Sequence, residues 1–87
     1  MKMKMKYIII TSRGVEIPIL FNFLISHDTF LDCFLKSSIC SAGFFELYSD
    51  QDDHDKTLVN TYGKSISLQI TSRKEDTLII QKFLNGN

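Results

Sequence analysis

Tryptophan is missing from these 87 residues, proline occurs once and cysteine only twice. Cys33 and Cys40 are too few for a disulfide-rich secreted scaffold. Cys33 falls in a predicted helix and Cys40 at the start of a predicted strand. Two reduced, inert thiols of a cytosolic protein are therefore expected, with one bridge between them as the alternative. Charge of one sign is lacking too: Lys plus Arg number 10 and Asp plus Glu number 10, a net charge of zero. That balance argues against a dedicated duplex-DNA binder, against broad nucleic-acid binding and against a polyacidic DNA mimic. No uncharged apolar run approaches the ~20 residues of a membrane-spanning helix, so no membrane partner is expected. Residues 1–6 alternate Met with Lys and lack the apolar core and cleavage site of a secretory signal, which predicts a cytoplasmic protein. With no internal repeat and no low-complexity linker, residues 1–87 read as a single domain.

What is present is apolar and aromatic. Hydrophobic residues make up 44% of the chain, and seven Phe with three Tyr give a short chain enough ring surface to build a core. Residues 7–11 are β-branched and apolar, a buried strand. After Ser12, Arg13 and Gly14, a second strand over 15–21 puts Val15, Ile17, Ile19 and Phe21 on one face and Glu16, Pro18 and Leu20 on the other. Pro18 has no N–H to donate, which places this strand at an edge or on a bulge. Ser26 as N-cap, with Phe30, Leu31, Phe34 and Leu35 on one stripe, predicts a short helix over 27–36.

A third strand is expected over 39–48, slim at Ala42 and Gly43, where another element can approach closely. A fourth runs over 57–70, or splits into two at Gly63 and Lys64. Ser72 followed three residues later by Glu75 reads as a capping box, opening a last helix with Ile79, Ile80, Phe83 and Leu84 on one stripe. The prediction is an α+β fold of order ββαββα, a mostly antiparallel sheet with two helices packed on one face. Leu20, Phe44 and Tyr48 are assigned to the strand faces opposite the main apolar set. They form a candidate interface, and a homo-oligomer through a sheet edge or face is expected.

The polar constellations are weak as chemistry. Asp50, Asp52, Asp53, His54 and Asp55 supply hard-ion ligands, but a calcium loop needs Gly at its sixth position and Glu at its twelfth. A solvated acidic loop is the preferred reading, and no metal or cofactor is expected. His27 and Cys33 lie six apart, on different faces of a helix, so no nucleophile–base pair is read there and no enzyme is expected. Tyr62-Gly-Lys-Ser lacks the upstream Gly of a phosphate loop, and a strand follows it. Even so, Arg13, Tyr62, Lys64, Ser65 and Arg73, with Ser67 beside them, are candidate ligands for a small anion or nucleotide-like molecule. If residues 1–6 are extended, Lys2, Lys4 and Lys6 point the same way, an electrostatic arm for nucleic acid or a frayed solubilising terminus.

The segments KYIIITSRGVEIPILF (6–21), ISHDTF (25–30), SAGF (41–44), YGKSISL (62–68) and SRKED (72–76) together resemble a pattern seen in small uncharacterised proteins of bacteriophages and prophages. The likeness spans most of the chain, except the Asp-rich loop and the Lys-Met leader. It implies provenance rather than chemistry. The expectation it adds is a small accessory binding protein in the bacterial cytoplasm, with counter-defence as one such role, acting by stoichiometric binding to a host or defence protein. The alternatives are sequestration of a small anionic or nucleotide-derived signal, and a structural or assembly subunit.

Overall fold

The structure is a computed structural model that describes residues 3–32, 38–49, 51–52 and 56–86. Four strands form one antiparallel sheet in the order β2-β1-β3-β4: β1 Met3–Ser12, β2 Val15–Asn22, β3 Ile39–Ser49 and β4 Thr57–Tyr62. β2 is an edge strand, consistent with Pro18, whose missing donor leaves no gap in a ladder there. The tight turn between β1 and β2 uses left-handed backbone at Arg13 and Gly14 (φ 53° and 78°).

Both faces of the sheet are apolar, and this decides the architecture. Tyr7 and Ile9 of β1 point to one face, with Phe45 of β3, Val59 of β4 and Ile80 completing a buried cluster. Ile8 and Ile10 point to the other, with Phe21, Ile39, Ala42 and Leu68. Each face needs its own cover, since an exposed Ile forfeits roughly 1.5–3 kcal/mol of burial. A single α-helix among the described residues, α1 Lys74–Asn85, covers the first face through Ile79 and Ile80. The second is covered by a small hairpin, β5 Lys64–Ser65 with β6 Ile70–Thr71, which brings down Leu68 and Ile70.

The expected ββαββα order with two helices on one face is therefore corrected. The predicted 27–36 helix is a short 3-10 helix, His27–Asp32, and residues 33–37 lie outside the described ones. Its i→i+3 geometry, seen in the Thr29 N–H bond to the Ser26 carbonyl (3.1 Å), aims His27 at the hairpin-covered face rather than the helix face. Of the two readings of 57–70, the split at Gly63 and Lys64 is the one observed: β4 ends at Tyr62, and β5 and β6 pair across a turn at 66–69.

Gly43 marks where the chain changes face. Coming off the sheet at Gly63 and returning at Ser72, it passes so close that a Cβ on Gly43 would sit 2.7 Å from the Tyr62 carbonyl oxygen. The Ser72 N–H and hydroxyl both bond the Gly63 carbonyl (3.1 and 2.8 Å), pinning that crossing. Ser72 is thus not the N-cap it was expected to be. Arg73 is, and the third helical residue is Asp76, whose carboxylate accepts the Arg73 N–H at 2.8 Å. The start of α1 is moved by one residue because Asp76 is fully buried and is also bonded by Tyr7 Oη (2.6 Å) and Ser41 Oγ (2.9 Å) from the sheet.

A register shift between Ile9 and Ile10 inserts Cys40 as an extra residue in β3. Its thiol is free and turns to the helix face, where it meets the Thr11 hydroxyl. Cys33, the other half of the alternative bridge, lies outside the described residues.

The outer edge of β4 is closed by side chains of α1. Asn85 both accepts from the Thr57 N–H (3.2 Å) and donates to the Thr57 carbonyl (3.0 Å), and Gln81 accepts from the Val59 N–H (3.3 Å).

Candidate functional site

The hairpin covers only part of its face. The β5–β6 turn lies over Ile8, Ile10 and Ala42, and beyond it the sheet carries a row read directly from the ladder: Phe21, Lys6, Phe44 and Tyr62, one from each strand. The next row outward is Lys4, Glu46 and Asn60, and after it Tyr48 and Leu58. Alternation makes this inevitable once the register is set, because Lys4 and Lys6 share the face of Ile8 and Ile10.

In the first row Phe44 and Tyr62 stack, with ring centroids 5.8 Å apart and planes inclined at 22°. The Phe44 ring lies under two ammonium groups, Lys4 Nζ at 5.2 Å and Lys6 Nζ at 5.8 Å from its centroid. Lys6 is further held by donating to the Ile25 carbonyl (3.0 Å). Both aromatic rings of the stack are only half-buried, and Tyr48 is 39% exposed. Tyr62 Oη lies 3.5 Å from a Glu46 carboxylate oxygen, and desolvation followed by that negative charge raises the Tyr62 pKa, so the ring is neutral at ordinary pH.

His27 closes one end of the row. Its ring sits edge-on between Phe21 (5.4 Å) and Phe44 (5.7 Å), and Nε2 lies 2.9 Å from the Gly43 carbonyl, to which it donates. Burial lowers its pKa, so the imidazole is held neutral. A groove of about 230 Å³ opens beside it, lined by Lys6, Ser26, Phe44, Lys64 and Ile66 among others. Ile66, at the tip of the hairpin and 82% exposed, forms its lip.

The residues proposed from sequence divide between this site and other places. Tyr62 and Lys64 belong to it. Ser65 does not: it is buried, and its hydroxyl accepts the Leu68 N–H within the hairpin. Arg13 sits in the turn at the opposite end of β1 from Lys4 and Lys6. Arg73 is committed on the helix face, pairing Glu16 (2.7 Å) and Asp76 (3.0 Å), which raises its own pKa and lowers that of Glu16. The trio Leu20, Phe44 and Tyr48 is divided as well. Leu20 packs into the Tyr7 cluster under α1, whereas Phe44 and Tyr48 lie on the other side of the sheet.

Lys4, Lys6 and His27 complete the site without having been assigned to it. The alternation of Lys with Met did put the lysines on one side, but nothing local says that β3 lies beside β1 and brings Phe44 beneath them. Of the Asp-rich loop only Asp52 is among the described residues of 50–55 apart from Gln51, and no cluster of metal-ligating side chains occurs among the described residues. His27 is occupied by Gly43, while Cys33 lies outside the description. Asp76 is buried among the described residues, closed off from solvent and bonded by Tyr7, Ser41 and Arg73, and it holds α1 to the sheet. No helix among the described residues is long and apolar enough to cross a membrane.

No family model matches the chain, and neither the curated proteins nor the solved structures yield a match to it.

Proposed function

We propose that this chain is a small non-catalytic binding protein, and that its working surface is the open part of the sheet around Lys4, Lys6, Phe44, Tyr62 and Lys64. The ligand class is an anion that carries an aromatic ring, a nucleotide or a nucleotide-derived signal. One observation carries this reading: in a stacked, partly exposed aromatic pair the Phe44 ring lies under two ammonium groups, and the pair sits beside a groove with a third lysine at its rim. A ring can take a base on its face, and the ammonium groups donate to phosphate oxygens.

A phage or prophage setting is part of the proposal. The proposal there is an accessory protein acting by stoichiometric association in the bacterial cytoplasm, sequestering such a ligand. A second reading is docking of a host or defence protein, or of another copy of the chain, on the same face. It is favoured by the exposed Tyr48 ring beside Leu58, an aromatic anchor of the kind that dominates protein interfaces.

Thermal-shift measurements with linear and cyclic nucleotides test the first reading. A ligand at a hundred times its Kd stabilises the fold by about 2.7 kcal/mol, an easily read shift. Stabilisation lost in the Lys6→Gln and Lys64→Gln variants supports it. No shift with mononucleotides or oligonucleotides at millimolar concentration refutes it and leaves the protein-docking reading.

A further inference from the structure

We infer that the ligand of this face is a short single-stranded nucleic acid, bound across the sheet, and not a free mononucleotide. The inference rests on the nucleotide reading above and names its substrate class.

The first argument is volume. Pockets that enclose small ligands measure roughly 300–1,000 Å³. The groove beside His27 is about 230 Å³, and a second one that shares Lys64 and Ile66 with it is about 300 Å³; both are open and only the second reaches the foot of that range, so a mononucleotide in either would leave much of its surface in water. Adequate contact has to come from the open sheet next to the groove.

The second argument is the spread of the rings. Phe44 and Tyr62 share a row, and Tyr48 lies on the same face four residues along β3. At about 3.3 Å per residue, that is roughly 13 Å of strand. Bases in a stacked strand lie roughly 3.4 Å apart. One base therefore cannot reach both ring positions, whereas a strand of several nucleotides can.

The third argument is the placement of charge. Lys4 and Lys6 stand along β1 on one side of the rings, and Lys64 stands at the rim of the groove near the end of β4. Phe44 is covered by the two ammonium groups and by Tyr62, so bases are left the exposed ring surface of Tyr62 and Tyr48, with the cations beside that surface for phosphates. Duplex is excluded by the same geometry, because half-buried rings on a flat sheet reach only bases that are unstacked. The zero net charge of the chain fits a local contact with few phosphates.

The test is fluorescence anisotropy with end-labelled oligothymidylate and oligouridylate of two, four, eight and twelve nucleotides. A duplex of matched length and unlabelled thymidine and uridine monophosphates serve as competitors. Affinity is expected to rise at least tenfold between the dinucleotide and the octanucleotide, with duplex and monophosphates competing poorly. Three phosphate contacts give a slope of about −2 in log affinity against log salt, and Lys4→Gln should reduce that slope by about 0.7. Phe44→Leu and Tyr62→Leu, which keep apolar volume, should each weaken octanucleotide binding by roughly five- to a hundredfold. A circular dichroism melt of each variant separates loss of binding from loss of fold.

Monophosphate binding as tight as the octanucleotide overturns the inference and leaves the nucleotide reading standing. Equal binding of duplex and single strand overturns it as well. Binding of none of these probes removes both. A preference between the two oligomer series says whether the 2′-hydroxyl is read, and either preference supports the inference.

Discussion

Replacing Asp76 by Ala should be the most damaging single change to the fold among its polar residues. The carboxylate is 0% exposed and receives four bonds: Tyr7 Oη at 2.6 Å, Ser41 Oγ at 2.9 Å, the Arg73 N–H at 2.8 Å and Arg73 Nε at 3.0 Å. A hydrogen bond to a charged group contributes roughly 1.5–3 kcal/mol, and an N-terminal cap about 1 kcal/mol. These terms do not add, because all four share one acceptor group. Removing one partner of a buried ionic network costs about 3–5 kcal/mol, since the donors left behind are desolvated and unpaired. The whole domain is held by roughly 4–13 kcal/mol. Asp76→Ala should therefore lower the thermal midpoint by about 12–40 °C, at ~4–8 °C per kcal/mol for a domain of this size. Asp76→Asn keeps one acceptor oxygen and should fall between Ala and the parent. The assay is urea and thermal unfolding followed by circular dichroism, with Tyr7→Phe and the double variant completing a cycle. A coupling of roughly 0.5–3 kcal/mol between the two positions is expected. An Asp76→Ala protein within about 1 kcal/mol of the parent would show that the network is not what joins α1 to the sheet.

Three further outcomes are expected. His27 is neutral in the fold because burial lowers its pKa below its ordinary 6.5, so the unfolded chain binds the extra proton first as pH falls. The stability it contributes is complete above pH about 6.5 and is lost as pH falls from there through the folded-state value; unfolding midpoints between pH 7.5 and 5 should show this slope, and His27→Gln should flatten it. Gly43→Ala should cost roughly 1–3 kcal/mol or more, because the obstacle at 2.7 Å is the Tyr62 backbone carbonyl and cannot swing aside; a melt indistinguishable from the parent would contradict the crossing described at that point. Gln81→Ala combined with Asn85→Ala should leave three backbone groups of β4 uncovered, costing roughly 1–3 kcal/mol and producing concentration-dependent association in sedimentation or light scattering.

Much of the strand pattern was legible in the residues themselves. The Ile-rich first strand, the Pro18 edge, the slim Gly43 and the final amphipathic helix all follow from local chemistry, and the structure places each close to its expected position. What was not legible depended on partners distant in sequence. Ser72 and Glu75 have the spacing of a capping box, but Asp76 has the company of Tyr7 and Ser41, 69 and 35 residues away, and tertiary bonding chose the later start. The segment after Tyr62 has apolar even positions and reads as the same strand continued or as a second one after a break at Gly63 and Lys64. Leu68 and Ile70 instead fold back over a sheet that is apolar on both faces, something visible only once Tyr7 and Ile8 are both seen to be buried. The candidate site shows the same limit. Tyr62 and Lys64 were picked out by residue type, whereas Lys6 over Phe44 exists only because β1 and β3 are neighbours. Arg73 looked like a free anion ligand because Glu16, its partner, is 57 residues earlier.

The closure of β4 by Gln81 and Asn85 makes the order of synthesis matter. A nascent chain leaves the ribosome N-terminus first, so all four sheet strands are available before α1 exists. During that interval Thr57 and Val59 offer bare backbone groups, and the Tyr7 face has no lid. The opposite edge is guarded from the start by Pro18, which cannot donate to an incoming strand. The protein thus carries one permanent guard and one that arrives last. Its exposure to mispairing is set by how soon a twelve-residue helix can seat its two amides.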